Sequence, residues 1–285
     1  MSGVQIHFDG DIAQNHQVSL RTLGKTLTHL QSTFDRAYLE LHHGNLWKYA
    51  KMHHSYYDAV ELLVQEPREG GYILDFLTSN PITRRVIDRV AEAVNSACEQ
   101  MQQAGLQNAH NIKQSIDTKL AQIDAGVVPI KSYDNLLQNP DGAITRKYAD
   151  RAIVREVDQI LSIIRSSHSG DSTFELELNG TVSQKFEFNK AKANTFHKIV
   201  TNKQIGDPVA YKANISVMDR HNLTARIVNK VNGSIATLHF INEDMFQEVI
   251  SYFDHKTELS FLGAPYIEYG AFDPLSGDIY YLRLI

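Results

Sequence analysis

The chain reads as an α+β protein: a small N-terminal antiparallel sheet with long helices, then a β-rich C-terminal domain, a small barrel or sandwich. Three observations predict this. Before Arg165, apolar residues recur every three or four positions over long stretches, the helical period. After Ser172 the period falls to two, the strand period. Between them, Ser166–Asp171 (SSHSGD) is short, polar and flexible in composition, a linker signal. The expected domains are therefore residues 1–165 and 172–285.

The N-terminal part is organised around Ala59–Ser79, AVELLVQEPREGGYILDFLTS. An apolar run, a polar turn with Gly70-Gly71 and a second apolar run predict a β-hairpin. Val60, Leu62 and Val64 would share one face of the first strand, and Tyr72, Leu74 and Phe76 one face of the second. Two strands are marginal alone. The alternation Val4, Ile6, Phe8 offers a third, ending at the Asp9-Gly10 turn. Leu20, Leu23, Leu27, Leu30, Phe34 and Leu41 form one stripe of a long helix with Ser19 as N-cap. Gly24 inside it costs about 1 kcal/mol relative to Ala, and marks either a close approach to the sheet or a tolerated residue.

Asn80-Pro81 is a helix start. The apolar stripe Ile82, Val86, Val90, Val94, Ala97, Met101 weakens around Gly105–Asn108 and resumes with Ile112, Ile116, Leu120 and Ile123. It reads as one broken helix or two. After a turn at Asn139–Gly142, Ile153, Val157, Ile160 and Ile164 mark a last helix. Beyond the linker, Asn179-Gly180 and Asn232-Gly233 predict tight hairpins. Val209–Val217 is the cleanest alternating strand, and Glu243–Phe253 an amphipathic helix. About seven strands with one or two helices predict a small, partly closed barrel or sandwich.

Composition excludes several classes. Across 285 residues, 42% hydrophobic and 21% charged residues are those of a globular protein. No run of 18 apolar residues predicts a membrane helix. The N-terminus reads as a strand and not as a signal peptide. The single cysteine, Cys98, permits no internal disulfide and sits in a helical pattern, which fits a structural thiol and a cytoplasmic location. The net charge of −5, with 17 basic against 19 acidic residues to Arg165 and 11 against 14 beyond, argues against wholesale binding of nucleic acid or anionic membrane.

No catalytic motif stands out: GxSxG, the Walker loop and GxGxxG are absent. Gly70-Gly71 precedes a strand, a poor phosphate cradle. Seven of the 13 histidines lie before Ser55, including His42-His43 and His53-His54. Adjacent helical residues diverge by about 100°, so solvated histidines are expected and no metal site. Asp9-Gly10-Asp11 lacks the further ligands of a calcium loop. Glu175 and Glu177 share a strand face without the lysine of a metal-dependent nuclease, and Asp273 and Asp278 bracket a turn.

Two surfaces remain. The long stripes exceed what a three-stranded sheet covers, so Val86, Val90, Val94, Met101, Ile112 and Ile116 are interface candidates for a protein partner or a second copy. Tyr266 and Tyr280 on the barrel are candidate stacking platforms for single-stranded nucleic acid, with Lys212, Arg226, Lys230 and Arg283 as phosphate contacts. A solvated strand face is the competing reading of those four cations.

The opening pattern Ile6-His7-Phe8-Asp9-Gly10, followed by the Leu20–Leu41 helix and the Gly70-Gly71 hairpin, resembles uncharacterised two-domain bacterial proteins of mobile or antiviral gene clusters. The resemblance ends with that hairpin and implies no activity and no functional residue. The expected function is a non-enzymatic binding or assembly protein within a multi-protein complex, an accessory component of bacterial antiviral defence. A nucleic-acid-binding accessory factor is the alternative, and a metal-dependent hydrolase or nuclease the third. No cofactor and no membrane contact are expected.

Overall fold

Along the chain run β1 (Ser2–Asp9), α1 (Leu20–His43), β2 (Leu63–Val64), β3 (Tyr72–Thr78), α2 (Pro81–Gln103), α3 (Ile112–Asp124), β4 (Lys131–Ser132), α4 (Tyr133–Gln138), α5 (Tyr148–Arg165), β5 (Thr173–Asn179) and β6 (Ser183–Phe188). Then follow α6 (Lys190–Val200), β7 (Lys203–Ile205), β8 (Val209–Asp219), β9 (Thr224–Asn229), β10 (Ile235–His239), α7 (Glu243–Glu248), α8 (Ile250–Asp254), β11 (Leu259–Glu268) and β12 (Ile279–Leu284). The computed structural model describes residues 2–68, 71–103 and 111–285. The chain forms two units. Unit 1 comprises Met1–Leu46, Ala50–Gln107 and Ala149–Thr201; unit 2 comprises Trp47–Tyr49, Asn108–Tyr148 and Asn202–Ile285.

Unit 1 is built on a five-stranded sheet in the order β2-β3-β1-β5-β6. β1 pairs antiparallel on both sides: Ile6 lies between Leu74 and Leu176, and Val4 between Phe76 and Leu178. Val4, Ile6 and Phe8 are buried on the inner face, where Phe8 packs on Phe174 with ring centroids 5.0 Å apart. The outer face is polar: Gln5 Nε2 donates to Asp75 Oδ1 at 2.8 Å, and His7 Nδ1 meets Glu175 Oε2 at 2.8 Å. This is the alternation expected of a sheet with one covered face. Gly71, at φ 90°, lies so close to β1 that a Cβ would stand 2.6 Å from the Phe8 carbonyl. Its partner in the expected turn, Gly70, lies outside the described residues.

The helices follow their caps and stripes. Ser19 Oγ accepts from Thr22 N at the start of α1, and Asn80 Oδ1 from Ile82 N at the start of α2. α1 buries Leu30, Phe34, Ala37 and Leu39, but Leu20 is 85% exposed, so the inward stripe starts later than the leucine spacing implies. Among the described residues nothing lies within 4 Å of a Cβ built on Gly24, which makes that glycine a tolerated residue and not a close approach. Arg89 of α2, its side chain 9% exposed, donates Nε–H to Glu40 of α1 at 2.7 Å and Nη2–H to Asp150 of α5 at 2.5 Å. Buried Asp158 of α5 likewise takes Arg165 at 2.6 Å and His197 of α6 at 2.9 Å.

Unit 2 is a closed five-stranded barrel, β8-β9-β10-β12-β11, closed by antiparallel pairing of β11 with β8. β4 adds in parallel to β8, and β7 pairs antiparallel with β11. β10 and β12 are parallel, because the chain between them runs through α7, α8 and β11 before returning. Val209, Tyr211, Ile227, Leu238, Phe261, Ile279 and Tyr281 fill the interior, with Tyr211 stacked on Phe261 at 5.4 Å. α3 packs Ile116 and Ile123 on the outer wall against Leu262, Ala264 and Leu282. The α+β class and the barrel therefore stand as the sequence predicts.

Three expectations are corrected. Residues 166–171 lie inside unit 1: β5 and β6 join the N-terminal sheet, and Ser169 and Ser172 are buried in a capped turn. A strand's pairing partner is not written in its own composition, which is why the linker signal misleads. The first run of the hairpin is a 3₁₀ turn, His54–Val60, then two strand residues; Leu63 and Val64 are exposed. The stripe Val86, Val90, Val94 is fully buried within unit 1, against neighbours that include α1, α6 and β5. Ile116 is fully buried on the barrel, with Ile112 half-buried beside it, and Met101 is half-buried. These residues form cores of their own units, and the stripe break at Gly105–Asn108 lies outside the described residues.

Val90→Glu tests that correction. A carboxylate forced into this site should destabilise unit 1 by about 4 kcal/mol or more, seen as a lower urea midpoint. A variant of wild-type stability would contradict the packing.

Candidate binding site

On the outer wall of the barrel three strands bring three rings together. His239 of β10 and Tyr280 of β12 are cross-strand partners, and Tyr280 stands opposite the small Ala264 of β11. Tyr266 lies two residues beyond Ala264, within diagonal reach of an aromatic side chain. The His239 and Tyr280 ring centroids are 5.2 Å apart; Tyr280 and Tyr266 are 5.7 Å apart at 67°, an edge-to-face contact. All three residues are half-buried. They point outward because their neighbours Leu238, Ile267, Ile279 and Tyr281 point in.

Cations rim the rings. Lys203 Nζ lies 5.8 Å from the Tyr266 ring centroid, within cation–π range. Lys48 Nζ binds Asp278 Oδ1 at 2.6 Å and donates to Thr237 Oγ1 at 3.3 Å. Its backbone N–H donates to Asp273 Oδ2 at 2.6 Å. His239 Nε2 lies 3.6 Å from the other oxygen of Asp278. Exposed Arg226 stands across the ladder from Thr237, on the same outer face.

Burial alone would raise the Asp278 pKa; hydrogen bonds from His239 and Lys48 outweigh it and hold the carboxyl below its ordinary value. Asp273 moves the other way: burial raises it, partly offset by the amides of Lys48, Leu275 and Ser276. Burial, then the charge of Asp278, raises the Tyr280 phenol. Burial pushes the Cys98 thiol up to about 11, far from a reactive thiolate.

The remaining sequence candidates disperse. Lys212 of β8 and Lys230, just past the end of β9, are neighbours: Lys230 N donates to the Lys212 carbonyl. Arg283 is tied to Asp124 of α3 at 2.6 Å. Of the four expected phosphate contacts only Arg226 borders the rings. Glu175 pairs with His7 and Lys185 on the unit 1 sheet, and Asp11 caps the Asp171 amide. Exposed His42 stacks on buried Tyr38 at 5.5 Å and lies 4.6 Å from half-buried Tyr56 at the end of α1. Among the described residues no group of His, Cys, Asp and Glu is arranged to hold a metal ion.

The site also holds Lys48, Lys203 and His239, which belong to no sequence motif. His239 was legible as the outward neighbour of inward Leu238. Lys48 had no signal, since Trp47–Tyr49 is a three-residue segment of unit 2 set in the sequence of unit 1. No family model, no curated protein and no solved structure matches this chain.

Asp278 contributes stability that is present above the ordinary carboxylate pKa and lost as pH falls through its lowered folded value. Asp278→Asn should therefore cost about 1–3 kcal/mol at pH 7, with the gap from wild type closing below about pH 4. Denaturant melts across pH check this, and a gap of constant size would contradict it.

Proposed function

We propose that the chain is a binding protein that works within a multi-protein complex, with the outer barrel wall at His239, Tyr266 and Tyr280 as its contact surface. The observation that carries this is the convergence of three half-buried rings rimmed by Lys48, Lys203 and Arg226. Tyrosine and arginine are enriched in protein interfaces, and a rigid ring supplies contact area at low entropic cost. The opening pattern's resemblance to proteins of mobile or antiviral gene clusters extends the reading to an accessory role in bacterial antiviral defence. Single-stranded nucleic acid is the second reading, favoured by Tyr266 and Tyr280 as stacking platforms. It is the weaker one, because Lys212, Lys230 and Arg283 do not join Arg226 at the rings.

Affinity capture from native cells with wild type and Tyr280→Ala, beside titration of the full chain with a labelled single strand, tests both. The expected result is a defined protein partner whose recovery falls at least tenfold in the variant, and little single-strand binding at moderate salt. Single-strand binding that survives moderate salt and is lost in the variant would overturn the protein reading. Equal recovery by both proteins would remove the surface.

A further inference from the structure

We infer that two copies of the chain pair through the free edge of β6, joining their unit 1 sheets across a two-fold axis at Phe186. β6 ends the sheet. β5 takes the backbone groups on one side of it, and α6 packs against it. The backbone groups on its other side form a template for an added strand. The opposite edge, β2, is two residues long and lies close to Pro67, a short and blunted edge.

Charges on an edge strand commonly repel a second strand. On β6 they are arranged to do the reverse. Lys185 and Glu187 flank Phe186 and are exposed on the outer face. In an antiparallel pairing centred on Phe186, Lys185 of each copy lies opposite Glu187 of the other, so one contact occurs twice, as an isologous interface requires. The side-chain faces match as well: Phe186 meets Phe186 and Gln184 meets Phe188 on the inner side.

Glu187 feels the charge of Lys185, two residues away on the same face, without an ion-pair contact to it. It stands directly opposite Glu175 in the β5–β6 ladder, a like-charge pair that is unfavourable at that position. Lys185 reaches diagonally to Glu175 instead, with Nζ 2.9 Å from Oε2. No ion pair reaches Glu187 among the described residues. The edge also borders a cavity of about 460 Å³ between Gln184 and Val182 on the strand side and Glu92, Asn95 and Glu99 of α2. Val182 beside it is 65% exposed. A six-residue edge is smaller than a standard interface, so the dimer is weak and concentration-dependent.

Sedimentation equilibrium of the full chain over a range of concentrations reads it out. Wild type should show a monomer–dimer equilibrium. Lys185→Glu and Glu187→Lys should each weaken it at least tenfold, by placing like charges across the axis. The double swap, Lys185→Glu with Glu187→Lys, should restore it, although it removes the cation that faces Glu177 and reaches Glu175. In wild type, hydrogen exchange at β6 should slow as concentration rises, a readout that needs no variant. A wild type monomeric at every concentration, or a double swap no tighter than the single changes, would overturn the pairing.

Discussion

Unit 1 depends on one strand with both edges occupied. β1 lies at the centre of its sheet, hydrogen-bonded to β3 on one side and β5 on the other. Its partners sit far along the chain: Gln5 meets Asp75, and His7 meets Glu175, 168 positions away. Closing such loops costs entropy that grows slowly with length. The return comes from three stacked apolar rows on the inner face, Val4 with Phe76 and Leu178, Ile6 with Leu74 and Leu176, and Phe8 with Tyr72 and Phe174. A register slip of one residue would turn Val4, Ile6 and Phe8 to the polar face and expel all three rows from the core. Because β5 is fixed against β1, β6 becomes the last strand of the sheet.

In unit 2 the corresponding constraint is closure. Pairing of β11 with β8 removes the edges that an open sheet of these strands would carry. The interior is filled by side chains, so what differentiates the barrel is its outer wall. α3 covers one part of the wall through Ile116 and Ile123. Tyr280 stands at the margin of that covered region, packed partly on the α3 cluster and partly against His239 and Tyr266. Beneath the rings, Lys48 and Asp278 tie the Trp47–Tyr49 segment to the turn before β12 through side-chain and backbone contacts.

Local structure was legible in the sequence where periodicity and caps decide it. Ser19, Asn80 and the Asn179-Gly180 turn mark real boundaries, and the alternation of Val209–Val217 is the longest barrel strand. Pairing was not legible, because nothing within Thr173–Phe188 says whether its partner is an N-terminal strand or a barrel strand. The same limit misled the reading of Val86, Val90 and Val94. A long apolar stripe looks excessive for three strands, and the missing cover came from α6 and β5, elements assigned to the other domain. At the candidate site, Tyr266 and Tyr280 were legible as aromatics of barrel strands, and the inward places of Ile267, Ile279 and Tyr281 are what turn them outward. Lys48 and Lys203 were not, since only the folded register brings them to those rings.

The placement of β5 and β6 with β1 is the central structural claim, and native-state hydrogen exchange tests it most directly. Amides of β1 and β5 share one ladder, so they should open together, with matching free energies of opening. Strong protection of β5 persisting after β1 amides have exchanged would contradict it.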